Sequence, residues 1–218
     1  KLYTDPAVYE LEKTAIFSKT WHYIGHESHV CNTGDYLTLD IADESVFIIR
    51  SDDDQLRGFF NVCRHRAHRL LEGAGNVHSI VCPYHAWSYR NDGSLRHARF
   101  SRDMPTFDPD DFCLPEIRVE SVQGLLFVNL DLDAKSIDEL APGFKKDLGE
   151  LIPHMSSLRP LDTFAFDSPE SADWQANWKV VVDNYVECYH CAPAHPALAD
   201  LMEMGSYEHK VQHRWARQ

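Results

Sequence analysis

The sequence has no excess of basic residues. Its 218 residues include 21 lysines and arginines against 34 aspartates and glutamates, which gives a formal net charge of −13. Nucleic acids and anionic membrane surfaces attract positively charged proteins, so this balance argues against either as a partner. The local exception is a basic run at Arg64, Arg66 and Arg69. Such a run is equally consistent with a solvated loop and with a surface that receives an acidic partner protein.

The sequence also lacks long apolar runs, internal repeats and low-complexity segments. Its apolar runs are far too short for a transmembrane helix, and no signal peptide is visible. Its six cysteines do not form a disulfide framework, and we expect Cys31 and Cys113 to be free thiols. These features predict a cytoplasmic protein of one large or two small domains. The other four cysteines lie in or beside two motifs: Cys63, Cys82, Cys188 and Cys191.

Two short peptides carry a metal-binding pattern. Cys63-Arg-His65 and Cys82-Pro-Tyr-His85 are separated by 16 residues, and each supplies one thiolate and one imidazole. These ligand types suit iron or zinc. Two Cys and two His in matching halves form the ligand set of a Rieske [2Fe–2S] centre, with the thiolates on one iron and the imidazoles on the other. This ligand set raises the reduction potential above that of an all-Cys cluster.

A structural zinc site is the alternative interpretation of the same four residues. Zinc fingers usually place both Cys before both His, with the His pair on a helix. Here the order is Cys, His, Cys, His, and residues 79–89 are rich in aromatic and β-branched residues, which predicts a strand. Asn91-Asp-Gly93 then indicates a tight hairpin turn. The pattern therefore favours two loops of a small β-domain over a zinc finger.

The sequences of these peptides resemble those of a known family. The segments that carry the resemblance are Cys63-Arg-His-Arg66, Cys82-Pro-Tyr-His-Ala-Trp-Ser-Tyr89 and Asp92-Gly93-Ser-Leu95. They are similar to the cluster-binding loops of Rieske non-haem iron oxygenases, the large (alpha) subunits of ring-hydroxylating and N-demethylating systems. The resemblance implies a Rieske [2Fe–2S] cluster with Cys63 and Cys82 on one iron and His65 and His85 on the other.

Two residues depart from the family pattern. Ala67 and Ala86 stand where the family often has Gly. An alanine would be strained at either position if the backbone there needs a positive φ. We expect both alanines to be tolerated, since the four ligand positions are intact.

A second constellation lies in residues 177–196. A spacing of i, i+4, i+7 predicts that one helix face carries Asp183, Glu187 and His190. His195 follows five residues after His190, and Pro193 between them predicts a distorted or ending helix that swings His195 toward His190. Two His and one carboxylate that leave open positions form the facial triad of non-haem Fe(II) oxygenases, where O2 must bind the metal directly.

This second segment continues the resemblance through Asn184-Tyr-Val-Glu-Cys-Tyr-His-Cys191 and His195-Pro196. The resemblance implies that His190 and His195 bind a mononuclear Fe(II) and that Asn184 lies near that iron. It also implies that Glu187 bridges toward a Rieske histidine of the neighbouring subunit, although many ring-dihydroxylating members have Asp there. Cys188 and Cys191 form a Cys-x-x-Cys pair, which can signify a zinc or redox site. Beside His190 we expect them instead to be small packing residues.

The resemblance also predicts the architecture. The fold class is α+β, with a β-rich Rieske domain joined to a catalytic domain in which helices pack on an antiparallel sheet. The family's third iron ligand is an Asp far downstream of the two His, so the catalytic domain is expected to be C-terminally incomplete at Gln218. The predicted divisions are an N-terminal helix that packs on the catalytic domain (1–20), the Rieske domain (21–131) and the first part of the catalytic domain (132–218).

Local patterns predict the individual elements. Leu2 to Lys19 is a helix with Pro6 in its first turn, and Ser136 to Met155 is a helix opened by a capping box at Ser136 and Glu139. The stretch from Arg102 to Leu114 is a loop. The iron-bearing helix begins near Trp178. Strands are predicted at residues 35–40, 45–50, 56–61, 124–130 and near 162–166.

The function implied by the resemblance is that of a terminal oxygenase component. Electrons from NAD(P)H reach the cluster through a separate flavin/iron–sulfur reductase, sometimes through a ferredoxin, and the iron activates O2 beside a small organic substrate. Transfer between the two centres crosses a subunit interface, which predicts a ring-shaped homotrimer. The sequence from Glu187 to Cys191 resembles that of the quaternary-ammonium (betaine/carnitine) subgroup most. An arene dioxygenase alpha subunit, a Rieske electron carrier and a zinc-binding module are the alternatives.

Overall fold

The structure is a computed structural model of the chain, divided into two compact units. The first unit contains residues 11–160, and the second contains residues 1–10 and 161–218. The predicted strand near residues 162–166 lies outside the residues that the structure describes. No helix among the described residues has the length and apolar character to cross a membrane. The described residues are 1–101, 104–152, 154–157, 175–201, 208–211 and 216–217.

The predicted N-terminal helix is present and shorter than expected. Helix α1 spans Pro6–Glu12 and passes into a π-helical turn at Lys13–Phe17. Asp5 accepts a hydrogen bond from the backbone N–H of Ala7 at 3.0 Å, so its side chain satisfies a donor that the helix leaves free. Pro6 occupies the first helical position, where its missing N–H costs nothing.

An antiparallel sheet of seven strands forms the body of the first unit, in the order β1-β10-β9-β4-β3-β2-β5. The strands predicted at residues 35–40, 45–50, 56–61 and 124–130 are confirmed, within one or two residues at their ends. The strand predicted in residues 79–89 is instead two short strands, Ile80–Val81 and Ser88–Tyr89, with the second metal motif between them. A second sheet has three strands in the order β6-β7-β8. The ten strands are β1 (His22–His26), β2 (Asp35–Ile41), β3 (Glu44–Arg50), β4 (Leu56–Phe60), β5 (Ala74–Asn76), β6 (Ile80–Val81), β7 (Ser88–Tyr89), β8 (Leu95–His97), β9 (Glu116–Val122) and β10 (Leu125–Asn129).

Strand β3 is buried on both faces, because successive side chains of a strand point to opposite sides. Phe47 and Ile49 belong to the apolar cluster that also contains the metal-motif cysteines. Val46 and Ile48 belong to a second cluster on the other face. All four side chains are fully buried. The two metal-motif loops therefore rest on a sheet in which β3, an interior strand, is packed on both faces.

The hairpin predicted at Asn91-Asp-Gly93 is confirmed between β7 and β8. Gly93 has a φ of +86°, and its N–H donates to the Arg90 carbonyl at 3.0 Å. A Cβ at Gly93 would overlap the ring of Phe59 on the neighbouring sheet. The turn therefore needs glycine both for its backbone conformation and for its close approach to the core.

The predicted helix from Ser136 to Met155 is wrong as one element. It is two helices, α2 (Ile137–Leu140) and α3 (Phe144–Leu151). Pro142 and Gly143 separate them, and the φ of +89° at Gly143 is incompatible with a continuous helix. The predicted capping box is confirmed, because the Ser136 side chain accepts from the N–H of Glu139 and the Glu139 carboxylate accepts from the N–H of Ser136.

Three single-turn 3-10 helices interrupt the loops of the first unit, at Glu27–His29, Pro109–Phe112 and Met155–Ser157. The second lies in the stretch predicted as a loop from Arg102 to Leu114, of which residues 102–103 are not described.

The second unit is helical in most of its described residues. Helices α4 (Trp178–Tyr185), α5 (Cys191–Ala194) and α6 (Pro196–Leu201) follow one another closely. Strands β11 (Lys210–Val211) and β12 (Ala216–Arg217) pair antiparallel. A helix does begin at Trp178, as predicted for the iron-bearing helix, but it ends at Tyr185, before His190 and His195. With antiparallel sheets and helices in separate stretches of chain, the α+β fold class is also confirmed.

Candidate metal centres

The first metal motif begins at the end of β4, where a buried asparagine closes a loop. Asn61 is 2% exposed. Its Oδ1 accepts from the N–H groups of Leu70 and Leu71 at 3.1 and 2.9 Å, and its Nδ2 donates to the Leu71 carbonyl at 2.7 Å. One amide thus joins the two ends of the loop that carries Cys63 and His65, and it supplies partners for backbone groups that are shielded from water.

The two metal loops share one backbone design. In the first, the N–H of Cys63 donates to the His68 carbonyl at 2.8 Å and the N–H of Ala67 donates to the Cys63 carbonyl at 2.9 Å. In the second, the N–H of Cys82 donates to the Trp87 carbonyl at 2.8 Å and the N–H of Ala86 donates to the Cys82 carbonyl at 3.0 Å. Each cysteine therefore begins a tight turn that ends four residues later.

Both alanines lie in the left-handed region. Ala67 has a φ of +54° and Ala86 a φ of +59°. This conformation costs an L-residue about 1–2 kcal/mol, which glycine does not pay. The positions where the family often has Gly do need a positive φ here, and the loops keep that backbone conformation with alanine in place.

The thiol side of the site is buried. Cys63 and Cys82 are each 2% exposed. Burial raises the pKa of the Cys82 thiol, and the neighbouring Cys63 raises it further. Tyr89, which is fully buried, places its hydroxyl 3.3 Å from the Cys63 sulfur and accepts a hydrogen bond from the N–H of Arg64 at 3.0 Å. The two sulfurs therefore face each other in an apolar pocket with one hydroxyl beside them.

The imidazole side lies nearer the surface. The rings of His65 and His85 meet edge to face with centroids 4.8 Å apart. The indole of Trp87 stacks on His65 at 4.8 Å with an angle of 8° between the planes. Burial, then the nearby His85 and Arg66, lower the pKa of His65. This favours the neutral imidazole, which is the form that binds metals.

An orphaned nitrogen supports metal binding at this point. His85 Nδ1 is buried and has no hydrogen-bond partner among the described residues. Buried polar atoms nearly always have one, so an unpaired imidazole nitrogen next to a second imidazole indicates a ligand.

The four side chains fit a two-iron cluster better than a single ion. Two thiols lie together on the buried side and two imidazoles lie together on the outer side. A Cys2His2 zinc site needs all four around one point. Among the described residues, no group of three or more His, Cys, Asp or Glu side chains is arranged to hold one metal ion. A Rieske cluster takes only two protein ligands per iron, and this arrangement meets that requirement.

A cavity of about 630 Å³ opens beside the two imidazoles. Its lining is rich in aromatic side chains, and Arg99 is the one lysine, arginine or carboxylate residue among the described residues that line it. Trp87 makes edge-to-face contacts with Phe107 and Phe112, at 5.9 and 5.4 Å between ring centroids. Its lining residues include Tyr84, Trp87, Phe100, Met104, Phe107 and Phe112.

The second candidate centre lies where α4 ends. Glu187 Oε1 lies 2.7 Å from His190 Nδ1, and Glu187 Oε2 accepts from the N–H of Tyr189 at 2.7 Å. These hydrogen bonds, first that from His190, lower the pKa of the Glu187 carboxyl. His195 follows α5, and its ring meets that of His190 edge to face at 5.4 Å. A carboxylate that binds one imidazole nitrogen orients the ring and leaves the other nitrogen for a metal.

The predicted helix face of Asp183, Glu187 and His190 is wrong. Helix α4 ends at Tyr185, so only Asp183 lies on it, and Asp183 accepts a hydrogen bond from the Tyr3 hydroxyl at 2.7 Å. Asn184 is exposed near the end of the same helix. Glu187 and His190 come together through a turn. His195 does lie beside His190, as predicted. Pro193 is inside the short helix α5, which ends one residue later at Ala194.

The packing role expected for Cys188 and Cys191 is also wrong, because the two residues form a disulfide. The cross-link spans the turn that contains His190, and α5 begins at Cys191. Cys31 and Cys113 are free thiols, as predicted.

Three residues that support the cluster loops were not predicted from the sequence: Asn61, Trp87 and Tyr89. Each contributes through a contact between segments distant in sequence. Trp87 and Tyr89 lie inside the second motif, two and four residues after His85. An aromatic residue this close to a metal ligand is a usable signal, whereas nothing in the sequence around Asn61 marks it.

Comparison with known proteins identifies both regions. The Rieske [2Fe–2S] domain family matches residues 20–108. The family described as the catalytic domain of the ring-hydroxylating alpha subunit matches residues 161–217. The chain belongs to the Rieske oxygenase alpha subunits. Members of this family combine a Rieske cluster with a mononuclear iron site.

Several of the similar proteins are oxygenase subunits of carnitine and glycine betaine monooxygenases. The chain is 39% identical to the carnitine monooxygenase oxygenase subunit of Escherichia coli K12 over 219 residues, which is 100% of this chain and 57% of that protein. It is 37% identical to the glycine betaine monooxygenase oxygenase subunit of Chromohalobacter salexigens, over 92% of this chain and 43% of that protein. The chain thus spans about half the length of these relatives.

A solved structure gives the same result. The crystal structure of the quaternary ammonium Rieske monooxygenase CntA in complex with its substrate L-carnitine matches with a TM-score of 0.89 and 39% identity. The match covers 99% of this chain and 60% of that one.

Proposed function

We propose that the full-length protein is the terminal oxygenase of a two-component monooxygenase that acts on a small quaternary ammonium compound, such as a betaine or carnitine. The observation that carries this proposal is the pairing of two buried thiols with two outer imidazoles, of which His85 Nδ1 has no partner in the described residues. The names of the relatives support the substrate class.

The proposed cluster ligands are Cys63 and Cys82 for one iron and His65 and His85 for the other. When bound, a Rieske cluster accepts and donates single electrons at a higher potential than an all-Cys cluster. The protein supplies an apolar wall on the thiol side, a hydroxyl from Tyr89 beside one sulfur, and an indole from Trp87 that holds the His65 ring.

The proposed iron site uses His190 and His195, with Glu187 and Asn184 beside it. Glu187 fixes the His190 ring through Nδ1 at 2.7 Å, so that Nε2 is free for the metal. Two imidazoles leave room for a third, carboxylate ligand and for O2. We place that carboxylate in a part of the protein that this chain does not contain. By family resemblance, Glu187 also approaches a Rieske histidine of the next subunit.

The proposed domain organisation is the one expected from the sequence. Residues 21–131 form the Rieske domain, 132–218 form the first part of the catalytic domain, and 1–20 form a helix that packs on the latter. The hydrogen bond between Tyr3 and Asp183 supports the last assignment. We further propose a homotrimer located in the cytoplasm, supplied with electrons from NAD(P)H by a flavin/iron–sulfur reductase or a ferredoxin.

The test is turnover by the full-length protein with its reductase. With NAD(P)H and O2, oxygen uptake should be coupled to loss of carnitine or glycine betaine, with one oxygen atom entering product and one forming water. Hydroxylation of an N-methyl group releases formaldehyde, whereas hydroxylation of the carbon next to nitrogen releases trimethylamine. Measurement of both products therefore identifies the position attacked. Turnover of biphenyl or benzoate without betaine turnover would refute the substrate class and favour an arene dioxygenase.

Spectroscopy tests the metal assignments separately. A brown protein whose reduced form gives an EPR signal with an average g below 2, and which holds more than two irons per chain, is the expected result. A colourless, EPR-silent, zinc-containing protein after anaerobic reconstitution would refute the oxygenase assignment. A normal cluster signal without iron binding at the second site would leave only an electron carrier.

A further inference from the structure

The Cys188–Cys191 disulfide lies across the turn that presents His190. The cross-link closes a loop that contains only Tyr189 and His190, with Cα atoms of the two cysteines 4.9 Å apart. The N–H of Cys191 donates to the Cys188 carbonyl at 3.1 Å across the same turn. The covalent bond and the turn therefore constrain the same short stretch of backbone.

The carboxylate of Glu187, the residue just before Cys188, also binds groups in this stretch. It binds His190 Nδ1 and the N–H of Tyr189, both at 2.7 Å. Its side chain is 46% exposed and that of His190 is 28% exposed. Hydrogen bonds this accessible to water are individually weak. They orient the ring in part, and the cross-link adds a covalent constraint on the turn that carries it.

Access to the two sulfurs differs. Cys191 is 5% exposed, whereas Cys188 is half-buried and neighbours Tyr189, which is 95% exposed. A thiol reagent therefore reaches Cys188 before Cys191. This asymmetry makes Cys188 the sulfur that is attacked and Cys191 the leaving thiolate.

We propose that Cys188 and Cys191 form a reversible, redox-active site that reacts with small dithiols and disulfides. Its closed form holds His190 in the orientation that binds iron. The thiol chemistry stands on the geometry alone, while the effect on iron rests on the function proposed above.

A dithiol opens the cross-link by thiol–disulfide exchange. A thiolate of the dithiol attacks Cys188 Sγ, a mixed disulfide forms, and the Cys191 thiolate leaves and takes up a proton. The second thiol of the reagent then displaces Cys188 as a thiol and closes the reagent's own disulfide. Two electrons and two protons pass to the protein. A disulfide oxidant such as oxidised glutathione reverses the reaction.

Opening the cross-link removes the covalent constraint on the turn and leaves one backbone hydrogen bond and the Glu187 contacts. The His190 ring then samples more rotamers, and ligand pre-organisation is lost. Loss of an interaction that orients a metal ligand typically weakens metal binding by roughly 10- to 100-fold. We expect a weakening near the lower limit, roughly tenfold, because Glu187 still contacts the ring.

The first experiment measures the thiols of the full-length protein. Protein purified without reductant is alkylated with N-ethylmaleimide before and after treatment with dithiothreitol. The mass of the peptide that contains residues 188–191 is then measured by mass spectrometry. We expect no label before reduction and two labels after it, with closure restored by oxidised glutathione. The Cys31→Ser variant is the control, because it removes an exposed free thiol elsewhere. Two labels before reduction would overturn the proposal.

The second experiment measures retention of Fe(II) against a chelator that leaves the cluster intact, as monitored by the cluster's visible absorption. Reduced wild type and the Cys188→Ser variant should both lose the mononuclear iron at roughly tenfold lower chelator concentration than oxidised wild type. Equal retention in all three would reduce the disulfide to a structural cross-link and overturn the proposal. A protein with a closed disulfide and no iron in either state would instead refute the proposed iron site.

Discussion

The hydroxyl of Tyr89 is predicted to set part of the reduction potential of the cluster. It lies 3.3 Å from Cys63 Sγ in a fully buried position. Burial, and then this contact with the sulfur, raise the pKa of the tyrosine, so the hydroxyl stays protonated and donates to the sulfur when that sulfur is a thiolate ligand. Hydrogen bonds to cluster sulfurs raise the potential, because they stabilise the more negative, reduced state. The Tyr89→Phe substitution removes this donor and should lower the potential.

The magnitude follows from the strength of the bond. A hydrogen bond to a charged group contributes about 1.5–3 kcal/mol. If reduction by one electron strengthens the bond by about 1 kcal/mol of this, the change in potential is about 40 mV, since 59 mV corresponds to a tenfold change in a one-electron equilibrium. The N–H of Arg64, which now donates to the Tyr89 oxygen at 3.0 Å, loses its acceptor as well. Its reorientation toward the sulfur would reduce the shift without reversing it.

The assay is a redox titration of the full-length protein followed by visible circular dichroism or EPR. Tyr36→Phe is the matched control, because it also removes a hydroxyl in this unit, one that donates to the Glu72 carbonyl at 3.3 Å. The control should leave the potential unchanged. An unchanged or raised potential in Tyr89→Phe, with the cluster fully loaded, would refute the reasoning, since the sulfur would then gain nothing from the hydroxyl.

Three further predictions concern other parts of the structure. Ala67→Gly relieves a positive φ and should raise stability to denaturant by about 0.5 kcal/mol, whereas Ala74→Gly in an edge strand should lower it by about 0.5–1 kcal/mol; equal effects would contradict the strain. Glu187→Gln should weaken Fe(II) retention roughly tenfold with unchanged cluster absorption, because the charge that orients His190 is lost. Burial lowers the pKa of His22 in the folded protein. The contribution of His22 to stability is therefore present above pH ~6.5 and is lost as the pH falls through its folded-state pKa. The melting temperature of the His22→Gln variant should fall less between pH 7.5 and 5.5 than that of the wild type.

The candidate cluster ligands could be proposed from the sequence because their pattern is local. Each loop contains its own thiol and imidazole, and the Cys-x-His and Cys-x-x-His spacings indicate the ligand set. Strands β2, β3, β4 and β10 could also be predicted from the sequence, since each is a short run rich in apolar or β-branched residues. In β3 the apolar residues are consecutive, because both faces are buried.

Other features depend on contacts that a local pattern does not encode. Strand β9 alternates charged and apolar residues, and its polar side has a tertiary partner: Glu120 accepts from the N–H of Ile137 at 2.9 Å. Strand β1 contains two histidines and a glycine, so neither strand stands out by hydrophobicity. The stacking of Trp87 on His65 likewise joins two separate loops. These features require the assembled sheet before they can be recognised.

The turn after Tyr185 explains how Glu187 and His190 come together although the predicted helix is wrong. The spacing i, i+3 places Glu187 and His190 together in a helix, and it also places them together in the observed turn. Two interactions compete with the helix after Tyr185. The Glu187 carboxylate binds the N–H of Tyr189, and side-chain bonds of this kind oppose helical continuation. The Cys188–Cys191 cross-link then fixes the turn. Leaving the helix lets one carboxylate hold both the backbone and the His190 ring. That arrangement orients the metal ligand more firmly than a single contact along a helix face would.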